Sequence, residues 1–146
     1  MSAASAEAPA RLVLDAGPLI ALLHRADPDH AAATAGFRQL TQVRTRLVTP
    51  LPIVFEVYKW LVYEAHPAAA QLGLQQMRRG LEIVYPAATE LNEVGSVLAA
   101  MPTWKGTLED ALVAVTGLRL DAPVWRLNFR DLAAFRNLQF WTPATS

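Results

Sequence analysis

Cysteine is absent from this 146-residue chain. Its absence excludes disulfide frameworks, thiolate metal sites and cysteine nucleophiles together, and it suits a reducing compartment. Any metal must then be held by oxygen or imidazole. A charge imbalance is also missing: thirteen basic residues face thirteen acidic ones, for a net charge of zero. The bulk electrostatic footprint of a generic nucleic-acid binder is therefore not there, and a nucleic acid would have to be bound locally. No apolar stretch approaches the roughly 20 residues that a spanning helix needs, and the opening MSAASAEAPA has neither the basic start nor the apolar run of a signal peptide. The expectation is a cytoplasmic protein without a membrane segment, with residues 1–10 as a disordered tail.

What remains is a globular composition, 53% hydrophobic and 18% charged, long enough for one domain with its own core over residues 11–146. Arg11-Leu12-Val13-Leu14 reads as a strand that ends at Asp15. Ala16-Gly17-Pro18 then reads as a turn before the helical pattern of Leu19 to Leu23. Asp27-Pro28-Asp29 marks a second turn, from which Pro28 or Asp29 starts an alanine-rich helix through Phe37 and Leu40. Arg46 to Thr49 is a second strand stopped by Pro50 and Pro52, with helical spacing from Ile53 to Tyr63. A further helix follows His66-Pro67 and stops near Arg79-Gly80. Leu81 to Tyr85 gives a third strand, Ala87 to Met101 and Thr107 to Leu120 two more helices, and Val124 to Leu127 a fourth strand. Leu138 to Trp141 is a candidate fifth. Strands alternating with helices at this spacing predict an α/β fold with a parallel sheet of four to five strands and helices on both faces.

In open parallel sheets the functional cleft lies beyond the carboxyl ends of the strands. Asp15 and Asn128 both stand just past a strand. For Asp15 alone a turn or helix cap explains the residue equally well. Glu56 lies in a helix whose Val54, Val57, Tyr58, Leu61 and Val62 make one apolar face, with Trp60 and Tyr63 on the other. The helix is expected to be well covered, so that Glu56 needs a charged partner; an exposed pair with Lys59 is the plainer alternative. Asp110 follows Thr107 in a helix's first turn, where capping and dipole complementarity account for Glu109 and Asp110 without any site. Asp110, Ala114 and Gly117 share a face whose small side chains would admit other backbone closely. Asp131 stands three residues past Asn128. Oxygen donors from distant segments suit hard cations such as Mg²⁺ and Mn²⁺, which phosphodiester cleavage can exploit.

Four segments resemble the PIN-domain ribonucleases, in particular the VapC-type toxins of toxin–antitoxin pairs. They are LVLDAGPLIALL (12–23), VTPLPIVFEVYKWL (48–61), TLEDALVAVTG (107–117) and APVWRLNFRDLAAF (122–135). The resemblance implies a three-layer PIN-like fold and Mg²⁺- or Mn²⁺-dependent endonuclease activity on RNA. It also implies a homodimer and a cognate antitoxin filling a groove near the site. Carried over by position, Asp15, Glu56 and Asp110 are the metal-binding and catalytic acids, Asn128 stands at the fourth metal position and Asp131 at the catalytic acid that commonly follows. Two positions depart from the pattern: Gly17 stands where the family often has serine or threonine, and Arg126 where it often has threonine. Arg126 places a cation near the carboxylates, able to bind phosphate or to weaken metal binding. The alternative function is therefore a catalytically weak PIN-like module that binds RNA or protein.

Other features read more plainly. Trp125, Arg126, Phe129, Arg130, Phe135 and Arg136 interleave aromatic and basic residues as a single-strand RNA platform would, but core aromatics alternating with solvated arginines explain them better. His24, His30 and His66 have no metal-site spacing, and His30 is expected on a helix surface.

Overall fold

The computed structural model describes residues 7–128 and 131–144. Four parallel strands form one sheet: β1 (Arg11–Leu14), β2 (Arg46–Pro50), β3 (Glu82–Val84) and β4 (Val124–Trp125), in the order β3-β2-β1-β4. Six α-helices join them: α1 (Ala16–Leu23) and α2 (His30–Gln42), then α3 (Leu51–Glu64) and α4 (Pro67–Gly80), then α5 (Ala88–Ala100) and α6 (Leu108–Leu120). The chain steps outward from β1 to β3 and then returns past β1 to lay down β4. Right-handed crossovers therefore put α1 to α4 on one face of the sheet and α5 and α6 on the other. The packing agrees, with α1 against α2 and α3, α3 against α4, and α5 against α6.

Several boundaries differ from the sequence reading, each for a physical reason. Ala16-Gly17-Pro18 is not a turn but the first turn of α1. Proline is tolerated there because the first four N–H groups of a helix have no partner within it. Pro52 likewise sits inside the first turn of α3. β4 is two residues long, so Arg126 and Leu127 lie beyond it. The fifth strand reduces to an isolated parallel bridge, Val124 to Phe140, fixed by Val124 N–H donating to the Gln139 carbonyl and Trp141 N–H to the Val124 carbonyl. Of the leader, residues 1–6 lie outside the described residues. Pro9 and Ala10 belong to the folded body: Thr45 Oγ1 donates to the Pro9 carbonyl at 2.6 Å and Arg46 N–H to the Ala10 carbonyl at 2.9 Å.

Leu12, Val13 and Leu14 are fully buried, and the main core runs from them through Leu19, Leu40, Ile53, Val57 and Leu61 to Trp125, Leu138 and Trp141. α6 approaches β4 closely, as its small face predicts: a Cβ on Gly117 would lie 3.0 Å from Val124 Cγ2 and 3.1 Å from the Ala122 carbonyl oxygen. Asp121 ends that helix in the left-handed region, with φ 50°, and its N–H bonds back to the Gly117 and Leu118 carbonyls. Among the described residues no helix is long and apolar enough to cross a membrane.

Candidate functional site

The switch in strand order falls between β1 and β4, and the crevice beyond their carboxyl ends is where open α/β sheets put their sites. The register delivers two side chains there. Leu14 pairs with Trp125, and Asp15 N–H donates to the Trp125 carbonyl at 3.1 Å, so Asp15 and Arg126 leave adjacent strands side by side. Asp15 then caps α1 through Oδ1, which accepts from Ala16 N–H at 2.8 Å. β3 leads through α5 and α6 to β4, which brings the start of α6 to the same edge. Thr107 and Asp110 cap that start reciprocally: Asp110 N–H donates to Thr107 Oγ1, and Thr107 N–H to Asp110 Oδ2.

Arg126 joins the two acids. Its Nη1 lies 3.0 Å from Asp15 Oδ2 and 2.9 Å from Asp110 Oδ1, while its Nε donates to the Asn128 carbonyl. All three side chains of this triad are close to buried, and Arg126 is only 9% exposed. A buried arginine is costly unless its charge is matched, and two carboxylates match it. The reading of Arg126 as a solvated arginine in an aromatic-basic pattern is thus overturned by its burial. Trp125 and Phe135 are core, as that reading held, and Phe129 and Arg130 lie outside the described residues.

Glu56 contradicts the expectation of a well-covered α3. It is exposed, as are its neighbour Phe55 and Tyr63 further along, because only one face of α3 reaches the core. No ion pair joins it to Lys59 among the described residues. It nonetheless feels the pocket. Partial desolvation first, and then the charges of Asp15, Glu109 and Asp110, push its carboxyl up to about 7, against the opposing pull of Arg126. Burial also raises Asp15, only partly countered by Arg126 and the Ala16 N–H. For Asp110 burial acts upward too, but the Thr107 N–H and the Arg126 guanidinium outweigh it and hold the carboxyl below its ordinary value. Glu109 is the member of this cluster that sequence reading missed, having been read only as a complement to the helix dipole. It shares with Glu56 the wall of an apolar groove of about 860 Å³, lined also by Phe55, Tyr58 and Leu74.

Two further candidate positions follow β4 in the chain. Asn128 is exposed and contributes its backbone carbonyl to Arg126. Asp131 opens a short 3₁₀ turn, Leu132–Ala134, and its carbonyl accepts from Trp104 Nε1 at 2.7 Å, tying this loop to the segment before α6. A Cβ on Gly17 would come within 3.2 Å of the Leu127 side chain, so the glycine gives Leu127 room to pack against the first turn of α1. The histidines have structural parts: His30 Nδ1 bonds the Ala21 carbonyl, His24 meets the Trp60 ring edge-on, and His66 Nδ1 caps α4. His30 is thus part-buried between α1 and α2 rather than simply on a surface.

The pH dependence of stability follows from these shifts. A carboxyl that holds its proton more tightly in the folded chain favours folding below its unfolded value, near 4.5 for Glu56, and loses that contribution as pH rises through about 7. Asp15 acts in the same direction and Asp110 in the opposite one. In EDTA the thermal midpoint is expected to fall between pH 4.5 and 7. Glu56→Gln should remove roughly 1 kcal/mol of that fall, the exposure of the group being allowed for. A midpoint curve identical in the two proteins would show that Glu56 does not share the pocket's charge.

Oxygen donors from Asp15, Asp110, Glu56 and Glu109 have the hardness that a small divalent cation prefers, and one guanidinium leaves four carboxyls under-neutralised. The donor set fits such an ion by chemistry. By position it does not do so while Arg126 stands between Asp15 and Asp110, and among the described residues no three acidic or histidine side chains are grouped as a metal site.

No protein-family model matches the sequence, and no curated protein matches it either. Solved structures do. VapC20 of Mycobacterium tuberculosis, a sarcin-ricin loop cleaving toxin, superposes with a TM-score of 0.72 at 14% identity, over 85% of this chain and 95% of the other. A chain of VapBC2 from Rickettsia felis, bound to a DNA fragment from its promoter, gives 0.70 at 14% identity over 91% and 98%. A chain of VapBC-1 from nontypeable Haemophilus influenzae gives 0.67 at 17% over 91% and 97%. At these identities the likeness is one of fold: the chain has the PIN-like α/β fold of VapC-type toxins.

Proposed function

We propose that this chain is an endoribonuclease of the VapC toxin type that hydrolyses RNA phosphodiester bonds in the acidic pocket beyond β1 and β4, with Mg²⁺ or Mn²⁺ as its cofactor. The observation that carries the reading is the convergence of carboxylates from distant segments at the topological switch point. Partial desolvation first, and then the neighbouring charges of Asp15, Glu109 and Asp110, push Glu56 to about 7. Asp15, Asp110 and Glu56 would hold the ion, with Asn128 at the fourth position. When bound, it supplies a more acidic water and positive charge at the attacked and leaving oxygens. The chain's own part is to orient. The β1–β4 hydrogen bond fixes Asp15, the reciprocal cap fixes Asp110, and Trp104 anchors the loop carrying Asp131, which as a further acid could take up a proton.

A cognate antitoxin is the partner in this reading. It is supported by the VapBC complexes among the neighbours and by the apolar groove along α3, where Phe55 is 68% exposed beside the pocket. A homodimer belongs to the same proposal. The test is purified protein, free of antitoxin, with total and transfer RNA in Mg²⁺, Mn²⁺ or EDTA. Discrete fragments in either metal and none in EDTA are expected. Intact RNA throughout would turn the assignment to a second reading, a catalytically weak PIN-like module that binds RNA or protein. That reading draws on the Arg126 bridge, which already satisfies two of the acids.

A further inference from the structure

All four carboxylate oxygens of Asp15 and Asp110 have partners. Asp15 Oδ1 takes the Ala16 N–H and Asp110 Oδ2 the Thr107 N–H, while the inward-facing Asp15 Oδ2 and Asp110 Oδ1 both take the same nitrogen, Arg126 Nη1. A small divalent ion binds carboxylate oxygens at about 2.0–2.1 Å and needs those oxygens turned toward itself. The guanidinium and the ion therefore compete for one pair of oxygens, and their like charges would repel at such range. Arg126 is not loosely placed. It emerges directly from the pairing of β1 with β4, is almost wholly buried, and is steadied at Nε by the Asn128 carbonyl.

We propose that Arg126 is a resident counter-cation, holding the place between Asp15 and Asp110 until a divalent ion displaces it, so that the pocket exchanges one cation for another rather than holding both. This rests on reading the pocket as a cation site, and it makes Arg126 a determinant of metal affinity. It requires the wild-type protein to bind metal weakly for a site with this many acids, and to bind it more tightly once the guanidinium is gone.

Calorimetric titration with Mn²⁺, in the absence of RNA, tests it on the wild type and on Arg126→Thr. The variant is expected to bind Mn²⁺ at least about tenfold more tightly, since one competing positive charge beside the ion has been removed. Equal affinity, weaker binding by the variant, or no binding by either protein overturns the exchange. Cleavage is not part of this readout. A protein that cuts no RNA, yet binds Mn²⁺ more tightly as Arg126→Thr, supports the exchange and sinks the nuclease reading alone. Should the variant fail to fold, the wild type suffices: its Arg126 Nε–Hε NMR signal is expected to move and lose protection from solvent exchange as Mg²⁺ is added. A signal unchanged throughout the titration overturns the proposal.

Discussion

Asp15→Asn is expected to abolish metal-dependent RNA cleavage while leaving the protein folded. The substitution preserves shape and leaves an amide oxygen to accept from Ala16 N–H, so the cap of α1 survives. What it removes is one negative charge and one oxygen of the pair that faces Arg126. Partners one shell away from a metal typically cost about 10–100-fold when changed, so an acid meant to touch the ion should cost more than about a hundredfold. Initial rates of fragment formation in Mg²⁺ and Mn²⁺ measure this, beside thermal midpoints taken in EDTA. Because burial already disfavours the ionised Asp15, and Arg126 keeps Asp110 as a partner, the midpoint should change little. Near wild-type cleavage by the variant would remove the pocket as the reaction site. A loss of about 3–5 kcal/mol in stability, as when a buried ion pair is broken, would mark Asp15 as structural.

The second large effect lies beneath the site. Trp125 is 1% exposed, its ring 4.8 Å from that of Phe37 and 4.9 Å, edge-on, from that of Trp141. It also fills the space above Gly36, where a Cβ would stand only 2.7 Å from the indole. Trp125→Ala therefore removes the joint between α2, β4 and the C-terminal segment, at an expected cost of about 3–5 kcal/mol. For a chain of this size that is a fall of roughly 10 °C or more in Tm. Since Trp125 is the last residue of β4, its loss also loosens Arg126, and cleavage should weaken with stability. A urea-denaturation loss below about 1 kcal/mol would mean that the three aromatic rings do not pack as one unit.

The fold was legible because punctuation and periodicity agreed. Apolar runs ended at Asp15 and Pro50, and helices stopped at Gly80 and Leu120. What escaped the sequence reading were positions where tertiary context overrides a local signal. Prolines at 18 and 52 look like breaks, yet sit where a helix needs no donor. Leu138 to Trp141 looks like a strand, but among the described residues it forms isolated bridging, Phe140 with Val124, and no strand. The site was half legible. Asp15 and Asp110 meet through Arg126, and Glu56 reaches them electrostatically from an exposed face. Glu109 was hidden because a first-turn acid has an adequate local explanation. The burial of Arg126 had one available signal, its position within the expected fourth strand of a sheet with helices on both faces, and the competing pattern of alternating aromatic and basic residues obscured it.

The strand order also dictates when the pocket can exist. Asp15 directly follows the first of the four described strands and Arg126 directly follows the fourth, and Val124 is held in turn by Gln139 and Trp141. A growing polypeptide that has emerged as far as α6 holds its acids with neither the guanidinium between them nor the strand that sets Asp15 in register. Completion of the crevice thus waits for the segment from β4 to Trp141.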